Sequence, residues 1–202
     1  MARFETILTS AGSAALTAAM YNGEKVFPDY VLAGSGILSG NPATVTALVN
    51  PVTVDIKIND RELIVSEDET VEPSLLKIAT QVSNAGITAV TPIRELLLYA
   101  NSQFDSGGNL VQLGIPFAYA WLNGADTDNI LSPPINPGQQ DTLHFHELAI
   151  FVTNQELASI EVRFALDGFV THRMLNELMG KILQPSFDGE TLTFTQGVTL
   201  DG

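Results

Sequence analysis

Two histidines on one predicted strand are the residues of this sequence with the clearest potential for chemistry. His144 and His146 are two positions apart, so their side chains leave a β-strand from the same face. Two imidazoles on one face can bind a transition metal, and a trimer would bring six together. Two polar side chains on a solvated or interface face explain the pair more simply. Because no third ligand is placed by the sequence, we predict no metal site, and metal binding in an oligomer stays open.

The motifs of nucleophilic catalysis and nucleotide binding are missing. Ser35 lies between Gly34 and Gly36, but the five-residue nucleophile elbow is incomplete. With Gly40, these glycines miss the dinucleotide-binding spacing and form no phosphate loop, so we interpret them as turn residues. A pair of catalytic carboxylates depends on the fold and cannot be read from spacing. We therefore predict a protein that is not an enzyme, with no catalytic residue and no cofactor.

Two further groups could bind a ligand. The acidic run Glu67-Asp68-Glu69 is typical of a solvated turn, and the alternative is a docking patch or a divalent-ion site. Phe117, Tyr119 and Trp121 alternate along one predicted strand and could stack on a sugar. A shared face of a sheet core is the simpler interpretation of these three aromatic residues.

The composition limits the partners of the chain. Its 202 residues include 9 basic and 23 acidic ones, a net charge of −14, and no cysteine. Nucleic acid and anionic membranes are poor partners, because phosphate contacts need clustered Lys and Arg. No apolar run reaches the roughly 18 residues of a membrane span, and the N-terminus lacks a secretion signal. We expect no membrane insertion and synthesis in the cytoplasm.

The elements that must position these residues alternate between helical and strand patterns. Alanines from Ala11 to Ala19 predict a helix that Thr9 or Ser10 caps, that Asn22-Gly23 ends, and that lies close to another backbone. Val52 to Ile58 alternates as a strand, and Asn59-Asp60 predicts a turn into a hairpin partner at 62–66.

The rest of the chain continues this β-rich pattern. We predict strands at 76–82, 94–100, 110–113, 117–122 and 142–153, a partner for the last of these at 158–166, a helix at 174–183 and a strand at 191–195. The proline-rich segment 123–141 predicts a long loop that binds or covers a neighbour. The predicted class is α+β: a β-rich domain of antiparallel strands with an N-terminal helix and a C-terminal helix.

Three stretches and one junction of the sequence belong together: Phe4-x-Thr6-Ile7-Leu8-Thr9-x-Ala11-Gly12, Ala47-Leu48-Val49-Asn50, Ile93-Arg94-Glu95-Leu96-x-Leu98-Tyr99-Ala100 with Gly108-Asn109-Leu110, and Phe169-Val170-Thr171 at the start of the last helix. In this order they resemble a known family, the baseplate-attachment N-terminal domains of tail fibres from contractile phages and phage-tail-like bacteriocins. The resemblance covers roughly residues 3–172 and includes no catalytic motif. It implies an attachment-like domain at 1–168, and a helix and short β segment at 169–202 that lead toward a fibre shaft.

The resemblance implies a structural component of a phage or phage-tail-like particle. Such a chain would be a homotrimer that attaches a fibre to a baseplate protein, and so supports host adsorption at the baseplate-proximal end of the fibre. Fibres of this family usually continue into a shaft, so the chain is either a short adaptor or part of a longer fibre. A trimer would carry three times −14, which favours a baseplate surface that is basic or carefully complementary in charge. The alternative function is a short receptor-binding protein that contacts cell-surface glycan.

The last predicted helix carries a Met/Leu stripe from Met174 to Leu183. Packing against its own domain and contact within a trimer explain this stripe equally well.

Overall fold

The computed structural model describes residues 4–122 and 129–162, and the backbone of two strands at 183–187 and 192–196. These residues form thirteen β-strands, two α-helices and a 3₁₀ helix at Pro42–Thr44. In chain order the strands and α-helices are β1 (Glu5–Leu8), α1 (Ser10–Asn22), β2 (Pro28–Gly34), β3 (Asp55–Ile64), β4 (Ser74–Ser83), β5 (Thr91–Pro92), β6 (Glu95–Ala100), β7 (Gln103–Phe104), β8 (Leu110–Gln112), β9 (Ile115–Trp121), β10 (Ile130–Leu131), β11 (Leu143–Val152), α2 (Asn154–Ala158), β12 (Leu183–Phe187) and β13 (Leu192–Gln196).

Two antiparallel sheets enclose the main core. The first sheet has the strand order β1-β9-β6-β2, and the second sheet has the order β11-β4-β3. Their facing sides supply one apolar cluster, which includes Val31, Leu96, Leu98 and Ala118 from the first sheet and Leu76, Ile78, Leu148 and Ile150 from the second. Burial of this alternate set of side chains holds the two sheets together.

The predicted N-terminal helix is confirmed, including both ends. The Thr9 hydroxyl accepts a hydrogen bond from the Gly12 N–H at 2.9 Å, which caps the first turn of α1. Gly23 ends the helix in the left-handed conformation at φ 67°. The expected close approach is also present, because a Cβ on Gly12 would lie 2.1 Å from the Phe117 carbonyl oxygen of β9.

The long strands are confirmed, but two of the predicted pairings are wrong. β11 pairs with β4 along its whole length. The helix α2 (Asn154–Ala158) follows β11 and ends at the first residue of the predicted partner strand, 158–166. Residues 163–166 of that predicted partner lie outside the described residues. The capping box of Thr153 and Glu156 starts α2 immediately after β11, so the chain does not return as a hairpin there.

The predicted turn at Asn59-Asp60 is a β-bulge within β3. The register of β3 against β4 shifts between Ile58 and Asp60, and the Asn59 side chain donates to Gln81 Oε1 across the pair at 3.0 Å. The strand continues to Ile64 because its return partner is β4. The chain reverses at 65–73 instead.

The predicted antiparallel β content and N-terminal helix are confirmed, but the described residues are not clearly of the predicted α+β class. The described residues are mostly β, because α1 and α2 span only 13 and 5 residues. The helix predicted at 174–183 lies outside the described part of the chain, apart from Leu183, which begins β12. Among the described residues, neither α1 nor α2 is long and hydrophobic enough to cross a bilayer.

The chain divides into two compact units, Met1–Arg163 and Phe164–Gly202. In the second unit the described residues are the antiparallel pair β12 and β13. β13 lies where the sequence predicts a short terminal strand. Both large sheets belong to the first unit.

Candidate functional site

A buried carboxylate lies at the start of the central strand β6. Glu95 is fully buried, and its side chain leaves the first sheet on the face opposite the main core. Oε1 accepts the N–H groups of Gly36 and Asn50 at 3.1 and 2.9 Å, and Oε2 accepts the Val49 N–H at 3.0 Å and the Tyr119 hydroxyl at 2.8 Å. Four donors compensate the carboxylate for its lost hydration and hold it in place.

Glu95 fastens both ends of one loop. We call residues 35–50 the strap. Its ends are also joined by a hydrogen bond from the Ser35 N–H to the Asn50 carbonyl at 2.9 Å. Leu38, Val45 and Leu48 of the strap pack on Leu97 and Tyr119, which face outward from the first sheet. The strap therefore buries the second face of the sheet, which explains why every residue of β6 is buried.

Gly34 and Gly36 make room for this carboxylate and are not positive-φ turn residues. A Cβ on either glycine would lie 2.4 or 2.6 Å from Glu95 Oε1. Ser35, between them, accepts a hydrogen bond from the Asn50 side-chain amide. The predicted interpretation as ordinary turn glycines is therefore wrong for these two positions, because their backbone must approach a buried side chain closely.

Phe117 and Tyr119 of β9 are core residues and Trp121 is partly buried, but the three do not share one face. Tyr119 and Trp121 stack with ring centroids 5.8 Å apart beneath the strap, whereas Phe117 points into the main core. A register shift opposite Leu98 and Tyr99 makes Phe117 the extra residue and reverses the alternation. Phe117 and Tyr119 are fully buried, so this group offers no sugar-stacking platform. Burial and Glu95 raise the pKa of Tyr119, which therefore stays protonated.

The two histidines share one face of β11, as predicted, but that face points inward. Their ring centroids are 6.3 Å apart, and the His146 ring packs edge-on against Phe4 at 5.0 Å. His146 is 7 % exposed and its Nε2 has no hydrogen-bond partner, which differs from the expected solvated or interface face. Within residues 4–122 and 129–162, no group of three metal-binding side chains forms.

Acid should destabilise the fold through His146. Burial, and secondly the charge of His144, lower the pKa of His146 from 6.5 to about 4. The unfolded chain therefore takes up this proton first, and the free energy of unfolding falls as the pH drops from 6.5 to about 4. We expect a loss of about 2–3 kcal/mol from this group. His146→Leu should lose less stability over that interval in urea titrations at several pH values, and equal losses in both proteins would contradict the assignment.

The acidic run at 67–69 lies in the exposed turn between β3 and β4. Asp68 Oδ1 accepts the N–H and hydroxyl of Thr70, which lowers the pKa of Asp68. Glu69 accepts the N–H of Asn154 at the start of α2. These contacts fit the simpler interpretation, a solvated turn, and they place Glu69 beside the second sheet.

The outer face of the second sheet is open among the described residues. One cross-strand row is apolar: Phe151 of β11 lies opposite Leu75, which lies opposite Ile64. Phe151 is 59 % exposed and Ile64 is 38 % exposed. We call Phe151, Leu75 and Ile64 the apolar row. Sequence reasoning missed it because the pairing of β11 with β4 was not predicted.

Comparison of the chain with protein-family models, curated proteins and solved structures finds no match. The family resemblance of the sequence therefore stays a prediction.

Proposed function

We propose that this chain is a structural component of a phage or phage-tail-like particle, where a trimer attaches a tail fibre to the baseplate. Its place is the baseplate-proximal end of the fibre, its partners are a baseplate protein and its own copies, and its role is architectural and not catalytic. The proposal rests on the resemblance and on what the resembling residues do in the fold.

The observation that carries the proposal is the meeting of two of the resembling stretches at one buried carboxylate. Glu95 belongs to one stretch, and the Val49 and Asn50 N–H groups that it accepts belong to another. The stretch beginning at Phe4 forms β1, which pairs with β9 beside β6. Residues with these roles maintain the shape of the protein. This supports a function in which other proteins recognise that shape.

The glycan-binding alternative receives less support. Its aromatic group on β9 is covered by the strap, so a sugar would have to bind at other side chains. Deleting residues 1–20 would not separate the two functions, because Phe4 and Leu16 are core residues and the deletion would unfold the first sheet.

The mass of the purified chain in solution tests the proposed trimer. We expect three times the 21.7 kDa of one chain in light scattering coupled to size exclusion. A monomer at every concentration would contradict the trimer. Labelling of tail particles with an antibody against the chain tests the location, and label absent from the baseplate would contradict the attachment function.

A further inference from the structure

The apolar row lies at one end of an exposed sheet face, with no described residue covering it. The next cross-strand row on this face is Ala149, Lys77 and Glu62, and the Lys77 Nζ lies 3.8 and 3.5 Å from the carboxylates of Glu62 and Glu147. Beyond the row, a cleft of about 290 Å³ lies beside Phe151 and is lined in part by Pro73, Thr153 and Glu156. An exposed apolar group of this kind, with a polar border, is typical of a protein-binding surface.

The border of the apolar row is strongly acidic. Residues 62–77 and 147–156 contain seven carboxylates and one lysine, and that lysine is already paired with two of the carboxylates. Two acids of the cleft are held in place, because Glu156 accepts the Thr153 N–H at 2.8 Å and Glu69 accepts the Asn154 N–H. Two carboxylates beside Phe151 are therefore held in position, and the net charge of these two segments is negative.

The negative charge of this border determines which partners can bind the apolar row. Two copies of the surface placed face to face would bring carboxylates against carboxylates, which is unfavourable for a symmetric self-contact. Nucleic acid and anionic lipid are repelled for the same reason. A basic protein surface gains complementary charges at the border and an apolar contact at the centre.

We propose that the apolar row and its acidic border bind a basic protein surface that presents an apolar side chain between lysines or arginines. The inference rests on the proposed function, in which this partner is the baseplate protein. Phe151 is the central contact, because it is the largest and most exposed side chain of the row.

Phe145 supplies a matched control for Phe151. It lies on the same face of the same strand and is 52 % exposed, but its row continues through Gln81 and Lys57 and is polar. A substitution at either position removes one exposed phenyl ring from β11. Only the change at Phe151 removes it from the apolar row.

The test uses the full chain and a terminally blocked peptide of alternating lysine and leucine as the probe. We expect Phe151→Ser to weaken binding of this peptide about tenfold in isothermal titration calorimetry, and Phe145→Ser to change it by less than about twofold. Glu69→Gln, which keeps an acceptor for Asn154, should weaken binding about threefold and reduce its salt dependence. Equal losses from both phenylalanine substitutions, or equal binding of a glutamate and leucine peptide, would overturn the proposal.

Two readouts separate this inference from the function on which it rests. If the native chain labels the baseplate and Phe151→Ser assembles there equally well, the surface is wrong and the attachment function stands. If the peptide binds as expected and the chain is absent from particles, the surface stands and the attachment function fails. A loss of trimer mass in Phe151→Ser alone would make the row a contact between copies and overturn the proposal.

Discussion

Replacing Glu95 with leucine is expected to lower the free energy of unfolding by about 3–5 kcal/mol. Three backbone N–H groups and the Tyr119 hydroxyl would lose their acceptor at a buried position. Removal of a buried charge recovers its desolvation cost, but four unsatisfied donors outweigh that gain. The donors regain water most fully if the strap leaves the first sheet.

Trp121 reports this opening directly, because it is the one tryptophan of the chain and packs in the cluster beneath the strap. We expect a red shift of its emission in Glu95→Leu, and faster proteolysis within residues 35–50. Tyr119→Phe is the control, because it removes one donor and leaves three, and it should cost about 1 kcal/mol. A Glu95→Leu protein with native emission and native stability would show that the carboxylate does not hold the strap.

Replacing Gly12 with alanine is expected to destabilise the protein by about 2–3 kcal/mol, although alanine is the better helix former by about 1 kcal/mol. The new Cβ would lie 2.1 Å from the Phe117 carbonyl oxygen, which already accepts the Thr9 N–H at 3.0 Å. β9 cannot retreat, because it is paired with β1 on one side and β6 on the other. The helix must therefore move outward and lose its contact with the sheet.

Ser13→Ala is the matched control for this helix position. Ser13 is the next residue of α1 and is exposed, so its replacement should change stability by less than about 0.5 kcal/mol. Urea unfolding followed by circular dichroism compares the two variants. A Gly12→Ala protein more stable than the native chain would mean that helix propensity prevails and that the contact with β9 is loose.

Local patterns in the sequence predicted the elements well, because each depends on a few neighbouring residues. The cap at Thr9 and the glycine at Gly23 define both ends of α1, and the alternation from Leu76 to Val82 identifies the buried face of β4. The pairing of strands failed because it depends on residues far apart in the chain. Asn59 reads as a turn residue until β4 is known to run beside it.

The buried carboxylate has a signal in the sequence. Glu95 is an acid at the start of a strand whose other residues are apolar, and a charge in such a strand needs partners. Its partners come from residues 36, 49, 50 and 119, which no local pattern places near residue 95. The apolar row was hidden in the same way, since it joins Phe151 to Ile64 through an intermediate strand.

Because the strap is closed at its base, its length can change without a change in the sheet beneath it. Glu95 and the Ser35–Asn50 hydrogen bond fix the two ends, while Ser39, Gly40 and Asn41 at the middle are exposed. Added residues there would change the closure entropy only logarithmically, by about 0.6 kcal/mol for each doubling of the loop. Evolution or engineering could therefore graft a new peptide epitope onto this loop without disturbing the β-sandwich beneath it.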